Sequence, residues 1–133
     1  MAITYAWRGD FEDAEVNGLH AEGFGHPALD IGWRAQVERH SLGWVCARDD
    51  AGDLAGFVNV AWDGGVHAFV LDTVVAARAR RRGIGAALVA RAAEGARAAH
   101  CEWLHVDFDD ELRDFYFAAC GFRETAAGLI ALD

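Results

Sequence analysis

Ile3, Tyr5 and Trp7 alternate with smaller or polar neighbours at the start of the chain, the period of a half-buried strand. Asp10 then offers an N-cap, which predicts a helix over Phe11 to Ala21. Gly23, Gly25 and Pro27 interrupt that pattern, and Asp30 can cap a second helix that carries Ile31, Ala35 and Val37 to about His40. Past Gly43 the apolar positions crowd together. Gly43 to Arg48 and Leu54 to Trp62 read as two strands around the turn cluster Asp49 to Asp53. Val66 to Val75 reads as a third strand after Asp63-Gly64-Gly65, which gives an antiparallel meander.

Gly83 to Ala99 contains no proline and is rich in alanine, and it predicts a long helix whose small residues permit close approach to a sheet. Trp103 to Phe108 alternates again, with Leu104, Val106 and Phe108 on one face and Trp103, His105 and Asp107 on the other. Strand, loop, helix and strand in that order make a βαβ unit, so its two strands are expected to be parallel with a right-handed crossover. Asp109 or Asp110 can cap a short helix through Cys120, Gly121 stands where a C-cap belongs, and Phe122 to Leu132 supplies one or two final strands. The expected fold class is mixed α/β in one domain, residues 1–133, because no linker, composition shift or internal repeat divides the chain.

Composition narrows the class. A chain of 133 residues buries roughly two thirds of its unfolded surface, and 53 % hydrophobic with 25 % charged residues excludes a disordered chain. No apolar run approaches the ~18 residues of a membrane span, and the N-terminal residues lack the layout of an export signal, so a cytoplasmic protein that does not contact membrane is expected. Cys46, Cys101 and Cys120 are odd in number and widely spaced, which fits neither a disulfide framework nor a paired metal motif. His20, His26, His40, His67 and His100 show no ligand-like spacing either, so no metal is assigned.

Charge is more informative. The 12 basic residues are all Arg, set against 21 acidic ones for a net charge of −9, yet four arginines lie within Arg78 to Arg82. An acidic protein disfavours nucleic acid, whose binding depends on neutralising phosphates. One local positive patch points instead to a small polyanion, and the surrounding negative field would favour a cationic amine. In Arg80-Arg81-Arg82-Gly83-Ile84-Gly85 the patch meets a glycine-rich turn that opens a helix. The first amides of a helix are unpaired and carry its positive dipole end, and glycine lets a pyrophosphate come close to the backbone. The segment has no Lys for a P-loop and lacks the third glycine of a dinucleotide fingerprint.

This hexapeptide resembles motif A of the GNAT family of N-acetyltransferases: Gln or Arg, two residues, Gly, one residue, then Gly or Ala. Its context is similar too, with Leu71-Asp72-Thr73-Val74-Val75 running in and Ala86-Ala87-Leu88-Val89 running out. The family's later tyrosine block, Tyr, three residues, Gly and Phe on a short helix, is the pattern that Phe115 to Phe122 resembles. The resemblance implies a mostly antiparallel twisted sheet with one splayed parallel strand pair, flanked by helices.

It further implies acetyl-CoA as co-substrate. Backbone groups of Thr73, Val74 and Val75 would hold the pantetheine arm, Arg81, Arg82, Gly83, Ile84, Gly85 and Ala86 the pyrophosphate, and Arg80 would add charge. Tyr116 matches the family's general acid. Asp72 and His105 are the leading candidates for the base that frees the amine of its proton, with His105 suited to neutral pH. Where many relatives place a cofactor-contacting Asn, this chain has Asp109, which cannot donate when ionised. The implied activity is acetyl transfer to a primary amine of a small molecule or peptide, with homodimers allowed. A CoA-binding sensor or assembly module of the same fold is the alternative, and transfer to aminoacyl-tRNA is disfavoured by the charge. Recognition of the acceptor is expected from Phe24 to Trp33 and from the last strands.

Overall fold

Each strand pairs with the next in the chain, so the sheet order is the sequence order. The computed structural model describes residues 2–133. Strands β1 (Thr4–Trp7), β2 (Ser41–Arg48), β3 (Leu54–Trp62) and β4 (His67–Val75) are antiparallel, and β5 (Trp103–His105) joins the edge of β4 in parallel. Three helices complete the frame: α1 (Asp13–Phe24), α2 (Trp33–His40) and α3 (Ile84–Ala98).

Neighbouring residues of a strand point to opposite faces, and Gly56 and Phe57 identify what covers each. A Cβ on Gly56 would lie 2.9 Å from Leu88 and 3.2 Å from Ile84, so that face carries α3. Phe57 packs edge-on against Phe11 and Trp33, so the other face carries α1 and α2. Buried Asn17 fixes the connection between those two helices. Its Oδ1 accepts from the Ile31 amide at 3.2 Å and from Trp33 Nε1 at 3.0 Å, and its Nδ2 donates to the Ile31 carbonyl at 3.0 Å.

The helix boundaries differ from the expected ones for local reasons. Asp10 is engaged by Arg34 instead of capping α1. The helix starts later, at Glu12, whose amide donates to Glu15 Oε1 at 2.9 Å, and it ends at left-handed Gly25. Gly32, not Asp30, occupies the N-cap of α2. The expected short helix to Cys120 is a 3-10 turn at Asp110–Leu112 followed by a π-turn at Phe115–Ala119.

Two strand expectations fail. β5 ends at His105 instead of Phe108, and Phe122 to Leu132 forms no strand. Phe108 leaves the sheet edge to stack on Tyr116, with ring centroids 4.7 Å apart. The last segment offers only Leu129, Ile130 and Leu132 as large aliphatics, at 80, 85 and 96 % exposure, too little burial to offset the entropy of ordering it. Among the described residues no helix is long and apolar enough to cross a membrane.

Trp7 locks β1 to the rest. Its indole occupies the space over Gly43 of β2 and Gly95 of α3, where added Cβ atoms would sit 2.2 Å and 2.5 Å from the ring. Gly95→Ala gains about 1 kcal/mol of helix propensity but drives a methyl into a rigid ring, and overpacking costs about 1–3 kcal/mol. We expect a net loss of stability in urea denaturation followed by tryptophan fluorescence; a stabilised variant would show that the indole is not held there.

Candidate active site

The parallel pairing of β4 and β5 covers only His67 to Phe69 against Trp103 to His105. Beyond Phe69, β4 continues to Val75 with no strand on that side. On its other side the register slips: Leu71 faces Asn59 and Val74 faces Phe57, so Asp72 and Thr73 together oppose Val58. This is a β-bulge, and Asp72 adopts a left-handed conformation with φ 57°, which a short polar side chain tolerates better than most. The bulge bends β4 away from β5 and leaves Val70 to Val75 with an unpaired edge, which an extended ligand can use as it would an adjoining strand.

That edge leads through a 3-10 turn at Ala77–Ala79 into the arginine-glycine loop. Arg81 and Gly83 are left-handed, with φ 65° and 76°. None of the amides from Arg81 to Ala86 donates a hydrogen bond within the described residues, and no side chain caps α3. Arg80, Arg81 and Arg82 are exposed and have no acidic partner among those residues. A row of unpaired amides at a helix start, ringed by uncommitted guanidinium groups, fits a diphosphate. Buried Ile84 and Leu88 anchor the start of α3 in the core.

Gly85 brings this loop against the π-turn, since a Cβ there would lie 3.1 Å from the Phe115 ring. The next residue, Tyr116, is buried between Phe108, Phe115 and Phe122. Burial pushes its hydroxyl above the ordinary tyrosine value, and the neighbouring Thr73 hydroxyl offsets part of the rise. The contact falls short of hydrogen-bond geometry, so Thr73 Oγ1 remains buried without a partner.

Asp72 turns toward α1. His20 Nε2 lies 3.1 Å from Asp72 Oδ1, His20 Nδ1 lies 2.7 Å from His26 Nε2, and His26 Nδ1 lies 2.7 Å from the Pro27 carbonyl. A carbonyl only accepts, so His26 donates through Nδ1 and, when neutral, accepts at Nε2 from His20. The chain thus ties the Asp72 carboxyl group on β4 through two imidazoles to the Pro27 carbonyl beyond α1. Spacing along the sequence did not reveal this chain. The signal available was helical: His20 lies four residues after fully buried Val16, on the face of α1 turned to the sheet.

The sequence profile of the acetyltransferase (GNAT) family matches residues 4–122. The chain belongs to that family. No curated protein matches it. Solved structures place the fold alongside other members. A GNAT family acetyltransferase from Streptococcus pneumoniae superposes with a TM-score of 0.77 at 20 % identity, covering 99 % of this chain and 98 % of the other. Aminoglycoside N-acetyltransferase AAC(6')-Iy, in complex with the bisubstrate analogue CoA-S-monomethyl-acetylneamine, superposes at 0.79 with 18 % identity over 100 % and 99 %. Glucosamine-6-phosphate N-acetyltransferase from Arabidopsis thaliana does so at 0.73 with 15 % identity over 98 % and 99 %.

Against the GNAT pattern, the tyrosine block carries one residue too many: four residues, Phe117 to Cys120, separate Tyr116 from Gly121. The π-turn absorbs the surplus. Cys120 donates to the Phe115 carbonyl at 2.9 Å, a span of five residues in place of four. Asp109 is exposed and makes no side-chain cap; only its carbonyl accepts, from the Leu112 amide at 2.8 Å. His105 sits on β5 beside β4, stacked on Phe69 at 4.7 Å, with Nε2 2.8 Å from His67 Nδ1. No hydrogen bond joins it to Asp72 or Tyr116. Among the described residues no group of three or more His, Cys, Asp or Glu side chains is placed to hold a metal.

Tyr5 and Tyr116 are the only tyrosines of the chain. The difference between the phenolate absorbance titrations of the native protein and of Tyr116→Phe isolates the second, and its midpoint should lie above 10, the ordinary value. A midpoint at or below 10 would mean that the hydroxyl is not buried as described.

Proposed function

We propose that this chain is an acetyl-CoA-dependent N-acetyltransferase that acts on a primary amine of a small molecule or peptide. One observation carries the reading: the unpaired edge of β4 runs between a donor-rich helix start and a buried neutral tyrosine. Such a slot suits a long ligand with a diphosphate at one end and reactive chemistry at the other.

Acetyl-CoA supplies the activated acetyl thioester when bound. The backbone of Thr73, Val74 and Val75 would align its arm, and the amides of Arg81 to Ala86 would hold its pyrophosphate, with Arg80 contributing charge. Tyr116 is protonated at neutral pH as any tyrosine is, and burial favours that neutral form further, so it is equipped to protonate the departing sulfur. Asp72 is the better-supported base. It adjoins Thr73 at the bulge, His20 holds its Oδ1, and Oδ2 has no hydrogen bond among the described residues and so can accept a proton from the incoming amine. His105 would have to act from a ring already engaged by His67.

Calorimetric titration with acetyl-CoA tests the slot, and thiol release in the presence of amines tests the chemistry. Gly85→Val should weaken acetyl-CoA binding by ten-fold or more, because the side chain meets Phe115 and crowds the phosphate approach. Equal affinity would remove the loop from donor binding. Tyr116→Phe should lower kcat by about ten-fold or more, within the range of lost acid catalysis, with acetyl-CoA affinity nearly retained. Donor binding without turnover on any amine would instead favour a CoA-binding module.

A further inference from the structure

A groove of about 580 Å³ opens on the face of the sheet that carries α1 and α2, clear of the arginine-glycine loop. Gln36, Arg39, His40, Ser41, Asn59 and Leu71 are among its lining residues. None of the residues Phe24 to Trp33, expected to recognise the acceptor, lines it. Its volume is that of a small-molecule site.

Two of its polar groups lack partners. Asn59 is 3 % exposed, and the Ser41 hydroxyl donates to its Oδ1 at 2.5 Å. Its amide nitrogen makes no hydrogen bond among the described residues and is not among the buried atoms left without a partner, so it keeps access to solvent in the groove that Asn59 lines. Arg39 has no acidic partner among the described residues, in a chain where acids outnumber arginines by 21 to 12. No Asp or Glu lines the groove. An exposed guanidinium and an amide N–H, both without a protein acceptor and lining one groove free of carboxylates, can together receive an anion.

Position decides which anion and what it is attached to. Arg39 and His40 form the last turn of α2, the negative end of the helix dipole, which disfavours a dianion more than a monoanion. Leu71, the residue before Asp72 and the register partner of Asn59, also lines the groove. From this arrangement we infer that the acceptor is a carboxylate-bearing amine, an amino acid in the broad sense, whose carboxylate is held by Arg39 and the Asn59 amide while its amine extends along β4 to Asp72. The acidic surface attracts the ammonium end and the groove selects the carboxylate end. This assignment rests on the acetyl-transfer reading for the fate of the amine, whereas the carboxylate site stands on the groove itself.

The test separates the two. Without acetyl-CoA, the protein is titrated with glycine, β-alanine, γ-aminobutyrate and ε-aminocaproate, with their carboxamide counterparts, and with phosphoethanolamine as the phosphate analogue of β-alanine. Nuclear magnetic resonance follows the Asn59 side-chain amide and the Arg39 Nε–H. At least one amino acid should shift both signals saturably and bind at least ten-fold more tightly than its carboxamide, and Arg39→Ala should remove that margin. Thiol release with acetyl-CoA should follow the same order, with the loss in Arg39→Ala falling on KM. Asn59→Asp, which sets a carboxylate against the ligand, should also weaken the acid and spare the carboxamide. Carboxamides that bind as well as acids, shifts confined to other residues, or tighter binding of phosphoethanolamine would overturn the inference. Carboxylate binding with no thiol release from any amine would leave the groove assigned and defeat the acetyl-transfer reading alone.

Discussion

A strand inside a sheet normally has both edges occupied, and β4 departs from that rule at one point. Two residues, Asp72 and Thr73, oppose the single residue Val58, and from there the strand bends out of reach of β5. Asp72 in a left-handed conformation costs of the order of 1–3 kcal/mol, a strain that persists because the structure on both sides fixes it. Val74 resumes the ladder opposite Phe57 in the core, and His20 grips the carboxylate from α1. Remove the extra residue and β4 could stay alongside β5, with the gap closed, Asp72 turned elsewhere and Thr73 withdrawn from Tyr116.

The electrostatics follow the same economy of position. Five of the nine arginines outside the loop pair with acids: Arg34 with Asp10 and Glu38, Arg48 with Glu15, Arg78 with Asp49, Arg91 with Glu94, and Arg113 with Asp110 and Glu124. Among the described residues Arg8, Arg39, Arg97, Arg123 and the three loop arginines have no acidic partner; the loop arginines flank backbone amides that also lack acceptors, and Arg39 lines a groove without carboxylates. In a protein of net charge −9 such uncommitted cations are local exceptions to a negative field, which gives them selectivity for anions that a uniformly basic surface would lack.

The sheet, its order up to β4, the long helix and the parallel pair were legible in the sequence because each depends on a local period or on glycine punctuation. Leu54–Trp62 matches the expected strand residue for residue. The arginine-glycine loop was legible for a related reason: residue type and chain direction together dictate unpaired amides at a helix start. What stayed hidden depends on partners distant in sequence. His20 meets Asp72 across 52 positions, and Ser41 meets Asn59 across 18. The end of β5 at His105 was hidden as well, since the alternation continues through Phe108 while the pairing with β4 stops at Phe69. The surplus residue after Tyr116 was visible as a count, but only the π-turn shows how a chain of that length keeps the ring buried.

The contact between Gly85 and Phe115 joins two parts of the site that chemistry would treat separately. Phe115 borders the start of α3 through its ring and is covalently next to Tyr116, so the arginine-glycine loop and the phenol share one lever. A glycine at that fulcrum makes the spacing between them a matter of backbone and ring thickness alone, with no rotatable side chain to absorb a shift. Anchoring the charged tail of a long ligand would therefore tune the placement of the hydroxyl at its far end, making grip and proton delivery a single mechanical variable.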